Sequence, residues 1–257
     1  MNLLKSLKLL TILLSVLASS CATVSAPDER DPWESFNRSI YSFNDGFDKA
    51  IGRPVAEAYQ FILPDAVETG ISNFFSNLND VVVIVNDLLQ FKFYQAASDF
   101  SRFVTNTTFG LFGIFDVASH MDLPKHNEDF GQTLATWGVG DGAYLVLPFL
   151  GASSARDATG LVFDAYLLFP IAYVKDDEAR WGLIALAAID KRASLLEASR
   201  ILEKSGVDPY VFVRDAYYQV RQNQIYDGNP PSTRTYKEPT KEDLLLEDEL
   251  EKELLLQ

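Results

Sequence analysis

The chain has 257 residues and a net charge of −14, from 22 Lys and Arg against 36 Asp and Glu; it is 47% hydrophobic and holds two histidines and one cysteine. Such a chain has the apolar mass for a buried core. Its acidity argues against binding a nucleic-acid backbone, which needs clustered Lys and Arg, and one cysteine excludes an internal disulfide, a CxxC pair and a Cys-rich zinc site. The one oddity is aromatic content, with 18 Phe, 11 Tyr and 3 Trp.

The chain starts with a targeting segment. Lys5 and Lys8 form a basic stretch, residues 9–17 are apolar apart from Thr11 and Ser15, and Ala18, Ser19 and Ser20 lead into Cys21. The apolar run is shorter than the ~20 residues that span a bilayer. It resembles a bacterial lipoprotein signal, in which the chain is cut before a cysteine that becomes acylated, although Ala18 stands where leucine is usual. The alternative is an ordinary signal peptide that leaves a free thiol. Ala22 follows the cysteine, where aspartate would retain an enterobacterial lipoprotein in the inner membrane, so sorting points outward. The expected organisation is a removed signal (1–20), an acylated tether (21–30), a helical domain (31–228), and a linker with an acidic tail (229–257). Three acyl chains anchor firmly, since two already suffice.

Helical signals dominate the mature chain. Asp31-Pro32-Trp33-Glu34 reads as a helix start with Asp31 as N-cap. Trp33, Phe36, Ile40, Phe43, Phe47 and Ala50 then recur at three and four residues, one aromatic helical face. Asn37, Asn44 and Asp48 form a separate polar stripe, which read alone is the solvated face of an ordinary amphipathic helix. Helices are also expected over 78–89, 93–104, 158–173 and 179–203. Residues 81–85 are β-branched and favour a strand on propensity alone, but their neighbours favour a helix. Gly206 is placed to end one helix, and Asp208-Pro209 to open the next. Residues 158–174 carry only Thr159 and Asp164 as clear polar interruptions, and 182–189 carry none. Such helices suit a soluble core or a membrane interface.

Five glycines fall within 131–151. Gly138, Gly140 and Gly142 lack the Gly-Lys-Ser/Thr of a phosphate loop and read as a bending hairpin. His120 and His126, with Asp122, Glu128 and Asp129, fit no standard metal spacing. No nucleophile elbow, Walker loop or His-Glu-x-x-His occurs. No catalysis, metal or cofactor is expected.

The run Asp31-Pro-Trp-Glu-Ser-Phe-Asn-Arg-Ser-Ile-Tyr-Ser-Phe-Asn44 resembles the start of the MlaA/VacJ lipoprotein family. The likeness continues through Phe100-Ser-Arg-Phe-Val-Thr-Asn106 and Gly110-x-x-Gly113-x-x-Asp-Val-Ala118. It is strongest across Glu128-Asp-Phe-Gly-Gln-Thr-Leu134, Trp137-Gly-Val-Gly-x-Gly-x-Tyr144, Leu147-Pro148 and Arg156-Asp157, and closes with Arg192-Ala-x-Leu-Leu196 and Asp208-Pro-Tyr-x-x-x-Arg-Asp-Ala-Tyr217.

The resemblance implies an all-α ring of mostly horizontal helices in the inner leaflet of a Gram-negative outer membrane. The ring surrounds an amphipathic channel that passes misplaced phospholipids from the outer leaflet to a soluble periplasmic carrier, beside a trimeric porin. On that reading Trp33, Phe36, Phe43 and Phe47 face the membrane. Asn37, Asn44, Asp48 and Arg180 are candidates for the channel lining. Phe130, Gly131, Gly138, Gly140, Gly142 and Tyr144 belong to a glycine hairpin over 130–144, the family's mobile loop beside the channel. A lipid-modifying enzyme is the less favoured alternative, and a structural lipoprotein that tethers porins without moving lipid is the other.

The tail stands apart from the resemblance. Residues 237–257 hold eight acids and three lysines, and Thr240 and Asp243 form a capping-box start ahead of leucines at 246, 250 and 254. An acidic amphipathic helix over 240–257 fits a partner with a basic rim and an apolar groove, for which the soluble carrier is the candidate. The alternative is a solvated acidic tail.

Overall fold

A computed structural model describes residues 28–204 and 206–231. Cys21, the signal and the acidic tail lie outside the described residues.

The fold is all-α with a single small two-stranded sheet among the described residues. Helix α1 (Glu34–Phe47) runs through a π-turn (Asp48–Gly52) into α2 (Arg53–Ile62). After Pro64 comes the long α3 (Asp65–Leu89), then α4 (Phe93–Thr108) and a 3-10 turn (Ala118–Met121). A short α5 (Phe130–Thr136) precedes the antiparallel strands β1 (Tyr144–Leu147) and β2 (Gly151–Ser154), which pair Tyr144 with Ser154 and Leu147 with Gly151. Then follow α6 (Ala155–Phe163), a π-turn (Asp164–Leu168), a 3-10 turn (Pro170–Tyr173), α7 (Asp177–Ser194), α8 (Leu196–Lys204) and α9 (Pro209–Ile225).

Most expected helices form, and the differences have local causes. The β-branched residues 81–85 lie inside α3, where Val82 and Val83 are buried beside Asp80, Asn86 and Asp87. Packing of that face overrides strand propensity. The helix expected over 158–173 ends as α6 at Phe163, widens into the π-turn at Asp164, and stops before Pro170, whose ring cannot continue it. The helix over 179–203 breaks at Leu195 into α7 and α8. Asp208 does cap α9, accepting a hydrogen bond from the Tyr210 amide at 3.0 Å. Asp31 does not cap α1. Its side chain is fully buried, accepting from Asn37 Nδ2 at 2.8 Å and from the Tyr210 hydroxyl at 2.5 Å, and Trp33 holds the N-cap position.

The glycine hairpin expected over 130–144 also divides differently. Its first half is α5, with Asp129 as N-cap, and Gly131 is a buried helical residue. Gly138, Gly140 and Gly142 fall in the connection to β1, with positive φ at Gly138 (90°) and Gly142 (68°). The true hairpin is β1–β2, further along.

Polarity is distributed inside out. Among the described residues, buried polar and charged side chains outnumber buried apolar ones. Large apolar side chains crowd the surface, including Phe61 (91% exposed), Tyr94 (92%), Phe109 (73%) and Phe112 (71%). Two small apolar clusters form among the described residues. One is Tyr144, Val146, Tyr210 and Tyr218, and the other is Ala56, Ala193 and Leu196. Among the described residues no helix is long and apolar enough to cross a membrane.

Candidate functional site

The charged interior is built around α5, α6 and α9. Glycine permits their close approach. A Cβ on Gly160 of α6 would lie 2.3 Å from the Gly131 nitrogen, and one on Gly131 would lie 2.4 Å from Arg221 Nη2. Across that contact Arg221 of α9 grips both oxygens of Asp129 at 2.6 Å and approaches Asp157 Oδ2 at 2.6 Å. A planar guanidinium fork matches a carboxylate in this way. Burial works against the charge on Asp129, but the Arg221 fork and the Gln132 amide hold its carboxyl below the usual range. Asp157 also accepts from the Tyr217 hydroxyl at 2.5 Å and from Arg156 Nε at 2.9 Å, and Arg156 reaches Asp141 at 2.5 Å. Burial and the bond to Asp157 push the Tyr217 phenol upward.

Two cavities lie against this network. One, of about 310 Å³, is lined by Asp157, Tyr217, Arg221 and the hairpin residues Leu147, Leu150 and Ala152, among others. The other, of about 370 Å³, is lined by Asn79, Val82, Asn127, Glu128, Gln132 and Phe169, among others. Both share Asp129, Leu161, Asp164 and Gln224, so they adjoin. Asp164, in the π-turn after α6, accepts from the Phe130 amide at 2.8 Å and from Asn86 Nδ2 at 3.1 Å. Burial outweighs those bonds and pushes its carboxyl up to about 6. Apolar and charged groups share each wall, which is what an amphiphile with a polar head and apolar chains requires.

The residues singled out from sequence occupy several places. Asn37 is fully buried, donating to the Tyr144 carbonyl at 2.9 Å and accepting from the Val146 amide at 3.0 Å. One helical repeat on, Asn44 does the same for the Leu147 carbonyl (2.9 Å) and the Phe149 amide (2.8 Å). The polar stripe of α1 thus clamps β1 and the turn after it. Asp48 pairs with Arg192 of α7 at 2.6 and 2.8 Å. Asn44 and Asp48 line a separate cleft of about 270 Å³ with Arg53 and Glu203. Arg180, at the start of α7, is bonded to the Val174 carbonyl and to Asp177. None of these four borders the two cavities.

Trp33, Phe36, Phe43 and Phe47 are all exposed. Phe43 and Phe47 meet Phe149 of the β1–β2 turn edge to face at 5.3 and 5.0 Å. Phe130 stacks on Phe163 at 3.8 Å, and Tyr144 is fully buried. Gly138 and Gly140 have open space around them, whereas Asp141 between Gly140 and Gly142 is tied to Arg156.

Sequence reasoning left Asp164, Gln132 and Arg221 out of the site. The available signal was Asp164 itself, a lone acid in an apolar stretch. His126 bonds to buried Asp99 at 2.8 Å. The conspicuous motifs at 100–106 and 110–118 form one unit. Arg102 binds Asp116 at 2.6 Å, and Asn106 binds Asp116 and the Ala118 amide at 3.0 and 2.8 Å.

Relatives include the intermembrane phospholipid transport system lipoprotein MlaA of Shigella flexneri, 40% identical over 83% of this chain and 86% of that one. The protein of the same name from Haemophilus influenzae is 34% identical over 95% of this chain and 99% of that one. A solved structure described as "Structural basis for maintenance of bacterial outer membrane lipid asymmetry" superposes with a TM-score of 0.67 at 35% identity, covering 77% of this chain and 99% of that chain. The family described as MlaA lipoprotein matches residues 29–224, most of the chain, and this chain belongs to that family.

Proposed function

We propose that this chain is the outer-membrane lipoprotein of an intermembrane phospholipid transport system. Acyl chains on Cys21 anchor it to the periplasmic-facing leaflet, and residues 31–228 form the working domain. The helices lie in that leaflet as a ring, with Trp33, Phe36, Phe43 and Phe47 among the side chains facing lipid. The adjoining cavities at Asp129, Leu161, Asp164 and Gln224 form part of the path by which displaced phospholipid leaves the outer leaflet. A soluble carrier receives the lipid on the periplasmic side, with the 240–257 tail as its dock, and a trimeric porin holds the assembly in place.

One observation carries this reading: among the described residues many large apolar side chains are exposed, while buried polar and charged side chains outnumber buried apolar ones. In water that distribution is unfavourable by ~25 cal/mol per Å² of exposed apolar surface. In the interfacial region of a bilayer it is favourable, and helices lying flat need no spanning length. The connection at Gly138, Gly140 and Gly142 supplies bending on either side of the Asp141 tether.

Deleting the gene tests the reading. Phospholipid in the outer leaflet rises and returns to the parental level when the gene is restored. An unchanged outer leaflet favours a lipoprotein that tethers porins without moving lipid.

A further inference from the structure

The larger cavity is unusual in its charges. Glu128, Asp129 and Asp164 line it, with Asn79, Asn127, Gln132 and Gln224, and no Lys or Arg stands among the described residues that line it. Among the described residues Arg221 is the one cation lining either cavity, and Asp129 and Asp157 already occupy it.

The acids differ in how they are satisfied. Glu128 is paired with Lys92 at 2.8 Å and accepts from Gln90 and Gln95. Asp129 has the Arg221 fork. Asp164 has only the neutral donors Phe130 N–H and Asn86 Nδ2, with no ion-pair partner among the described residues. Gln132 lines the same cavity, is 2% exposed, and spends its amide nitrogen on the Asn127 carbonyl and on Asp129. Its Oε1 is buried and has no donor among the described residues. A buried acceptor without a donor costs ~1–3 kcal/mol, and a carboxylate without a counter-charge costs more. A ligand that brings N–H donors and positive charge relieves both. A bare phosphate or a glycerol headgroup on an anionic lipid adds negative charge beside Asp164, which already lacks a counter-charge.

Resting on the phospholipid-transport reading above, we propose that the Asp164–Gln132 wall of the larger cavity is a subsite for a protonated primary amine, so that the protein favours aminophospholipids with an ethanolamine-type headgroup over anionic phospholipids. The ammonium lies between the Asp164 carboxylate and Gln132 Oε1, and its N–H groups donate to both. The phosphate is kept outside the acid-lined wall.

The full-length protein, purified in detergent and stripped of lipid, is incubated with vesicles containing equal parts of phosphatidylethanolamine, phosphatidylcholine and phosphatidylglycerol. Retained lipid is quantified by mass spectrometry after repurification. Phosphatidylethanolamine is expected to be enriched on the order of tenfold over phosphatidylglycerol, the factor set by one charge-assisted hydrogen bond. It also exceeds phosphatidylcholine, whose ammonium has no N–H. Asp164→Asn and Gln132→Leu each bring the ratios toward those of the vesicles while total retained lipid persists. The parental protein tests the idea even if a variant fails to fold. Lipid retained in the vesicle ratio, an excess of phosphatidylglycerol, or equal phosphatidylethanolamine and phosphatidylcholine overturns the amine subsite and leaves phospholipid binding standing. Retention of no lipid at all overturns the transport reading together with the subsite.

Discussion

Gly131 and Gly160 are glycines because two helices and an arginine meet there. Gly160→Ala places its Cβ against backbone, 2.3 Å from the Gly131 nitrogen, which has no freedom to move aside. Gly131→Ala strikes the end of the Arg221 side chain, which can shift only by loosening its carboxylates. Overpacking of this kind costs ~1–3 kcal/mol, so thermal melts should fall for both variants and further for Gly160→Ala. Gly140→Ala, with nothing within 4 Å, should stay within ~0.5 kcal/mol of the parent. Asp87 makes a second residue-scale case. It is fully buried in α3 and faces Asp99 of α4, with Glu128 and Lys92 nearby and His126 bonded to Asp99. Burial and the neighbouring acid push its carboxyl up to about 8. An unfolded aspartate titrates near ~3.9, so between that pH and about 8 the folded state holds a proton the unfolded state has lost. Stability contributed by the protonated carboxyl is therefore full below ~4 and lost as pH rises to about 8. Denaturant titrations at pH 5, 7 and 9 should show this decline in the parent and a flatter profile in Asp87→Asn.

At the scale of elements, the β1–β2 hairpin is held to α1 by side-chain amides standing in for a third strand. Asn37 and Asn44, seven residues apart, share one helical face, and each satisfies one carbonyl and one N–H. Asn37→Ala leaves buried backbone groups unpaired and should cost ~2–4 kcal/mol, with Asn44→Ala costing less because its partners are nearer solvent. Amide hydrogen exchange gives a local readout: Val146 should lose protection in Asn37→Ala and Phe149 in Asn44→Ala. The connections between elements carry a different signature. Phe91, Leu111, Phe112 and Phe149 adopt left-handed backbone (φ 62°, 51°, 58° and 63°), and all four are exposed. A bulky residue in that region costs ~1–2 kcal/mol, so the fold spends stability to present these side chains outward. Phe112→Gly should leave stability unchanged or raise it by up to ~1 kcal/mol, while weakening partition into phospholipid vesicles measured by flotation. Unchanged partition would remove Phe112 from the membrane face.

For the whole molecule, attachment is separable from folding. Cys21 precedes the described residues, and no helix among those residues is long and apolar enough to cross a membrane; the proposed anchor is the acylated terminus, acting beside the apolar outer face of the ring. Cys21→Ser should abolish acylation and remove nearly all of the protein from the outer-membrane fraction, followed by fractionation and immunoblotting. Intact outer-membrane localisation in that variant would refute the lipid anchor. The sequence by itself determined the helical class, the opening of α9 at Asp208-Pro209, the aromatic face of α1 and the family, because caps, periodicity and contiguous motifs are local properties of the chain. It also offered Asn37, Asn44, Asp48 and Arg180 as one polar set, since helical spacing reports which residues share a face and not what that face meets. Tertiary structure alone decided that Asn37 and Asn44 hold strand backbone, 107 and 103 residues away. It likewise brought Arg221 onto Asp129 across 92 residues, and put Asp164 and Gln132 into the lining of one cavity. The Arg221–Asp129 pairing lies against the close crossing of α5 and α6 at Gly131 and Gly160, and groups so far apart in sequence have no local pattern to announce their partners.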